Sequence, residues 1–178
     1  MIIQEMTEEE CNKALKHARF GRLGCASDNH PYVVPIYFAF NGQHIYGVTT
    51  LGQKTEWMRA NENVCLEIDQ RFSFDNWMSV IVFGRYEELP DEPEYEAARI
   101  KALTLLQRHA MWWQPAFAAS SHRGSPESIT PIFYRIRIDN LTGHRATPDE
   151  AETKAMKSES VTRRESWWHS LRRRLHLN

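Results

Sequence analysis

The most constraining feature of this chain is a pair of β-rich runs on either side of Asn41-Gly42, "PYVVPIYFAF" and "QHIYGVTT". Asn-Gly favours the left-handed backbone that a tight hairpin turn needs, so the two runs are expected to pair antiparallel. Pro35 lies inside the first run. It has no N–H to give to a ladder, so that strand is expected at a sheet edge or bulged near that point.

Further β-runs follow the same pattern. "GRLGCAS" reads as a short strand, closed by a turn at Asp28-Asn29. In "VCLEIDQ", Val64, Leu66 and Ile68 alternate with Cys65 and Glu67, as in a half-buried strand. "NWMSVIVFGRYEELP" is the longest candidate, with Gly84 marking a bulge or bend. "PIFYRIRIDNLTGHRA" is the last, with arginines alternating against Tyr134, Ile136 and Ile138.

Helices are fewer. Thr7 with Glu10 makes a capping box for a helix with Cys11, Leu15 and Ala18 along one stripe, ended by Gly21. A second helix is expected from Gln53 to about Asn61. A third is expected over "DEPEYEAARIKALTLLQRHA", capped by Asp91. The sum is a mainly β, α+β chain: a small antiparallel barrel of about six strands with two or three helices attached.

The organisation is expected to be one domain over residues 1–146, followed by a polar linker and a basic amphipathic tail over 147–178. A hydrophobic share of 42% suffices for a core, and a net charge of −1 argues against a nucleic-acid binder driven by electrostatics. The three cysteines have no Cys-x-x-Cys spacing and read as free thiols, buried at Cys25 and Cys65. The N-terminal stretch has no basic segment followed by an apolar one, so no signal peptide is expected. No run reaches the ~18 apolar residues of a membrane span. A reducing cytoplasm is the expected compartment.

The chemistry concentrates in "GVTTLGQKTEWMRAN", where a strand ends in hydroxyls, a glycine and a lysine at a helix start. Helix N-termini attract anions, so Thr49, Thr50, Gly52 and Lys54 could cradle a phosphate. Thr50 with Gln53 is equally a capping box that needs no ligand, and from these residues alone both readings stand. Neither a Walker loop nor a Rossmann fingerprint occurs. The histidines, eight in number, show no metal spacing, so no metal site is expected. Asp69 and Asp75 read as solvated turn residues.

The stretch "PYVVPIYFAFNGQHIYGVTTLGQKTEWMRANENVCLEID", followed by "WMSVIVFGRYEEL", resembles the FMN-binding split-barrel family related to pyridoxamine 5′-phosphate oxidase. It is most similar to the flavin-nucleotide-binding branch that includes nitroimidazole-resistance reductases. The resemblance spans roughly Ala18 to Leu89, with weaker support up to Ala146, and its specific parts are "TTLGQK" and "RAN…VCLEID". It implies a homodimer with FMN between the subunits. Thr49, Thr50, Gln53 and Lys54 would hold the FMN phosphate, and backbone groups of Val34, Pro35 and Ile36 would lie along the isoalloxazine ring. Trp77 and Ser79 would reach the flavin from the partner subunit.

The resemblance also implies an oxidoreductase moving electrons from a reduced nicotinamide cofactor to a small organic acceptor. A non-catalytic protein binding flavin, deazaflavin or haem on the same fold is the alternative. The nitroimidazole-resistance branch usually carries a histidine where this sequence has Val48, and the basic C-terminal substrate motif of the pyridoxamine phosphate enzyme is missing. Neither chemistry is therefore implied here. Trp112 and Trp113 could be core or could cover a flat ring. The tail "WWHSLRRRLHLN" is expected to pack on its own dimer or to be disordered, with an acidic partner or a membrane surface as the alternatives.

Overall fold

A computed structural model of the chain describes residues 1–108 and 130–149. The expectations for Trp112, Trp113 and the tail beyond residue 149 fall outside the described residues. In chain order the elements are β1 (Ile2–Glu5), α1 (Glu8–His17), β2 (Phe20–Ser27), β3 (His30–Tyr37), β4 (Ala39–Phe40) and β5 (His44–Thr49). Then come α2 (Gln53–Ala60), β6 (Asn63–Arg71), β7 (Trp77–Glu88), α3 (Glu96–Gln107) and β8 (Ile132–Thr147).

The strands form a single antiparallel sheet in the order β3-β2-β6-β7-β8-β5-β4, with β1 also paired to β8. The sheet curls into a half-barrel that carries the three helices, the α+β split barrel expected. Alternation decides which side faces in. Leu23, Val64, Leu66, Ile68, Val80 and Val82 are buried together, joined by Ile36, Ile45, Tyr134 and Ile136. A second apolar cluster of Tyr46, Leu89, Ala102 and Phe133 lies under α3, with Val48 packed against it.

The turns behave as their residues require. Asp28 and Asn29 both have positive φ (49° and 62°), the backbone of a two-residue hairpin turn whose twist matches the strands it joins. Gly42 has φ +99°, and the Asn41 side-chain oxygen accepts from the N–H groups of Gln43 and His44 (2.9 and 2.8 Å). The irregularity at Gly84 is a bulge in the facing strand. Asn140 pairs with Phe83 and Ile138 pairs with Gly84, leaving Asp139 as the extra residue of β8. A Cβ on Gly84 would lie 2.3 Å from the Arg137 carbonyl oxygen, so only glycine allows the strands this close.

Several expectations need correcting. α1 has its capping box, with Thr7 N–H donating to Glu10 (2.8 Å) and Glu10 N–H to the Thr7 hydroxyl (3.3 Å). It stops at His17, however, because Ala18 is already extended and Phe20 begins pairing with Tyr37. Gly21 is a strand residue. Asp91 does not cap α3. A 3-10 turn at Pro93–Tyr95 comes first, and Asp91 faces Arg99 at 3.3 Å instead. The run holding Pro35 does not pair as a whole across Asn41-Gly42: only Ala39 and Phe40 pair with β5, while His30–Tyr37 pairs with β2. Pro35 lies inside that β2–β3 ladder. It pairs in register with Arg22, and the break falls at Phe38, whose N–H donates to the Arg19 carbonyl (3.0 Å). β3 is the edge strand that Pro35 demands. Cys65 is half-buried on the outward face, whereas Cys25 is buried. β1 was not anticipated.

Candidate functional site

β5 delivers Thr49 at the end of its ladder, opposite Ile132, and the chain then leaves the sheet through Thr50, Leu51 and Gly52. Gly52 is the N-cap of α2 and supplies no side chain, so no side-chain oxygen caps the first turn. The Thr50–Gln53 capping box is therefore absent. The Thr50 carbonyl instead accepts from the buried Thr55 hydroxyl at 3.0 Å, which ties the turn to the helix. Among the described residues, no atom beyond its chain neighbours lies within 4 Å of where a Gly52 Cβ would be, so none of them blocks the approach to the first turn.

Lys54 sits in that first turn, half-buried, with no carboxylate in salt-bridge reach among the described residues. Burial holds its ammonium below the ordinary lysine pKa, with a smaller opposing pull from Cys25. The Cys25 thiol is pushed up by burial, and the Lys54 charge works against that rise. A cation with no counter-ion among the described residues, at the positive end of a helix whose N–H groups lack a side-chain cap, is suited to an anion.

α2 is laid from β5 onto β2. Its Trp57 ring meets Tyr32 of β3 edge-on (5.5 Å, 61°), and the Asn61 side chain donates to the Ala26 carbonyl at 3.0 Å. Val34, Pro35 and Ile36 belong to the same β3, which pairs only with β2 and keeps its other edge free of strand pairing among the described residues. The Thr49–Lys54 turn and the β3 edge thus flank the same part of the half-barrel.

Trp77 and Ser79 stand apart, on β7, three strands along from β3. They point to the outer face of the sheet, with Asp69 paired to Ser79 and Cys65 to Phe83 in register. The Ser79 hydroxyl donates to Glu67 Oε1 at 3.2 Å, and Arg22 donates to Glu67 Oε2 at 3.0 Å and to Asp69 at 2.5 Å. Arg22 and Glu67 were not singled out from the sequence. Glu67 alternates with buried Leu66 and Ile68, which marks it as outward-facing, but its partners come from β2 and β7. Exposed Phe20, Val33, Tyr37 and Phe83 share this outer face.

Among the described residues no group of His, Cys, Asp and Glu is arranged to hold a metal ion. No helix there is long and apolar enough to cross a membrane.

Comparison with known proteins agrees with this fold. The family model for pyridoxamine 5′-phosphate oxidase matches residues 7–145. An uncharacterized protein (RA0666) of Rhizobium meliloti (strain 1021) is 35% identical over 150 residues, covering 84% of this chain and 99% of that protein. Among solved structures, an FAD-binding protein from Mesorhizobium loti is similar with a TM-score of 0.69 and 38% identity, covering 83% of this chain and all of that one. A candidate 5-nitroimidazole antibiotic resistance protein from Bacteroides thetaiotaomicron shares the fold at a TM-score of 0.57 and 19% identity, covering 83% and 93% of the two chains.

Proposed function

Because this chain belongs to the pyridoxamine 5′-phosphate oxidase family, we propose that it is a cytoplasmic, homodimeric flavoprotein. In this reading it binds FMN and serves as an oxidoreductase between a reduced nicotinamide cofactor and a small organic acceptor. The observation that carries the reading is Lys54: a half-buried cation with no carboxylate partner among the described residues, in the uncapped first turn of α2.

The chain's own residues have distinct tasks in this reading. Lys54 and the N–H groups opening α2 hold the phosphate, with the Thr49 and Thr50 hydroxyls and the Gln53 amide as further donors. Backbone groups of Val34, Pro35 and Ile36 on the free edge of β3 orient the flat ring. The second copy brings Trp77 and Ser79 and excludes water from the ring. Exposed Phe20, Val33, Tyr37 and Phe83 on the outer face support such an association, since apolar side chains clustered on a sheet face are buried readily by a partner. When bound, the flavin supplies the redox chemistry, and the protein supplies binding, orientation and a dry pocket.

FAD is the second reading of the cofactor, favoured by the Mesorhizobium loti relative, which is described as FAD-binding. The test is an absorbance spectrum of the purified protein, then mass spectrometry of what heat releases. FMN supports the first reading and FAD the second. Failure to take up either flavin on addition overturns both. Oxidation of a reduced nicotinamide by the loaded protein separates an oxidoreductase from a protein that only binds flavin.

A further inference from the structure

We propose that Glu67, held by Arg22, fixes Ser79 as a hydrogen-bond acceptor toward the N3–H of a flavin ring carried by the second copy. This inference rests on the flavin reading above.

Arg22, Glu67 and Ser79 come from three adjacent strands, β2, β6 and β7. Arg22 lies directly opposite Glu67 in the ladder, and Asp69, two residues on, lies opposite Ser79. The side chains are partly exposed rather than core, with 30% exposure for Glu67 and 51% for Arg22. They are therefore placed to meet something docking on the outer face. The copy that contributes Ser79 contributes Arg22 and Glu67 with it.

The direction of the bond matters more than its existence. A serine hydroxyl has one proton and two lone pairs. In this structure the proton goes to Glu67 Oε1 at 3.2 Å. Arg22, on the opposite side of β6 from Ser79, donates to the other oxygen of that carboxylate at 3.0 Å, which leaves Oε1 directed to Ser79. A carboxylate only accepts, so it cannot release Ser79 to donate elsewhere without losing the bond. What Ser79 has left for a ligand is lone pairs. The ring carbonyl oxygens and the unprotonated ring nitrogens of an oxidised isoalloxazine are acceptors as well, and an acceptor facing them gains nothing. Its single N–H, at N3, is the group that an acceptor-only Ser79 can satisfy. Glu67 is thus a positioning residue: it acts on the cofactor through the polarity of Ser79.

Replacing Glu67 by glutamine keeps size and shape but adds an N–H donor. The Ser79 hydroxyl can then accept from the new amide and turn its proton outward, so that two donors face each other at the ring. Titrating cofactor-free protein with FMN by fluorescence measures the consequence. Glu67→Gln is expected to raise the dissociation constant about five- to tenfold, and Ser79→Ala to raise it by a comparable factor. The double variant is expected to be no weaker than the weaker single variant, because both act through one bond. FMN methylated at N3 is expected to bind the unaltered protein more weakly than FMN does, with no further loss on Glu67→Gln. That comparison needs no substituted protein for its first half, and thermal melting of each variant reports whether it has folded.

Additive losses in the double variant, or N3-methyl-FMN bound as tightly as FMN, overturn the proposal. If FMN is retained and weakened by Lys54→Ala while Ser79→Ala and Glu67→Gln bind normally, this inference falls and the flavin reading stands. If the unaltered protein takes up no FMN, both fall together.

Discussion

At the scale of single residues, Lys54 carries the most information. Its half-buried position, with no carboxylate partner among the described residues, costs the folded protein something in the absence of a ligand, and a phosphate would recover it. Lys54→Ala is expected to weaken FMN binding by roughly 1.5–3 kcal/mol, the range for a hydrogen bond to a charged group. An unchanged dissociation constant would remove Lys54 from the site. The same residue has a signature in cofactor-free protein. Burial holds its folded pKa below the ordinary lysine value of 10.5, so between the two values the unfolded chain binds more protons than the folded one. Stability must therefore rise with pH across that window. A series of thermal melts at alkaline pH should show this rise, and Lys54→Met should flatten it.

At the scale of elements, α2 is the piece whose placement matters, because it brings the Thr49–Lys54 turn beside the β3 edge. Three contacts seat it: Trp57 on Tyr32, Asn61 to the Ala26 carbonyl, and a two-pronged pair in which Arg59 donates to both Glu88 oxygens at 2.7 and 2.8 Å. Glu88 is held below the ordinary carboxylate range, chiefly by the hydrogen bonds from Arg59. A carboxylate lowered on folding contributes stability above its unfolded pKa and loses it as pH falls through the folded one. Arg59→Met should therefore cost up to about 1 kcal/mol at neutral pH, since the pair is partly exposed and screened by solvent. The loss should shrink toward zero as the pH drops below the ordinary carboxylate value. Chemical denaturation at neutral and acidic pH measures both, and a loss independent of pH would assign Arg59 a packing role instead.

At the scale of the whole molecule, one chain leaves the proposed site incomplete. The Thr49–Lys54 turn and β3 flank one part of the half-barrel, while Trp77 and Ser79 face outward three strands away. In the proposed arrangement, two copies would place all of them around one ring. Light scattering on flavin-loaded protein is expected to give twice the chain mass, and dilution to the monomer should release the flavin. A flavin-loaded monomer would contradict the arrangement.

The local features of this fold were legible in the residues. Alternation in "VCLEIDQ" marks β6, Asn41-Gly42 and Asp28-Asn29 mark tight turns, and Thr7 with Glu10 marks the start of α1, because each depends on neighbours a few residues apart. Pro35 placed β3 at an edge for the same reason: one missing N–H is a local fact. What needed the tertiary structure were features decided by distant partners. β1 is a strand only because β8 leaves an edge free beside residues 144–147, and its own residues, all exposed, have no buried alternation to reveal it. The Thr50–Gln53 capping box was a sound local pattern, yet the chain begins α2 at Gly52, with Thr50 engaged through its carbonyl by Thr55. The Arg22–Glu67–Ser79 contacts join residues 45 and 12 positions apart, and only the pairing of three strands brings them together. Periodicity states which way a side chain points, whereas the partner it meets is set by the register of the sheet.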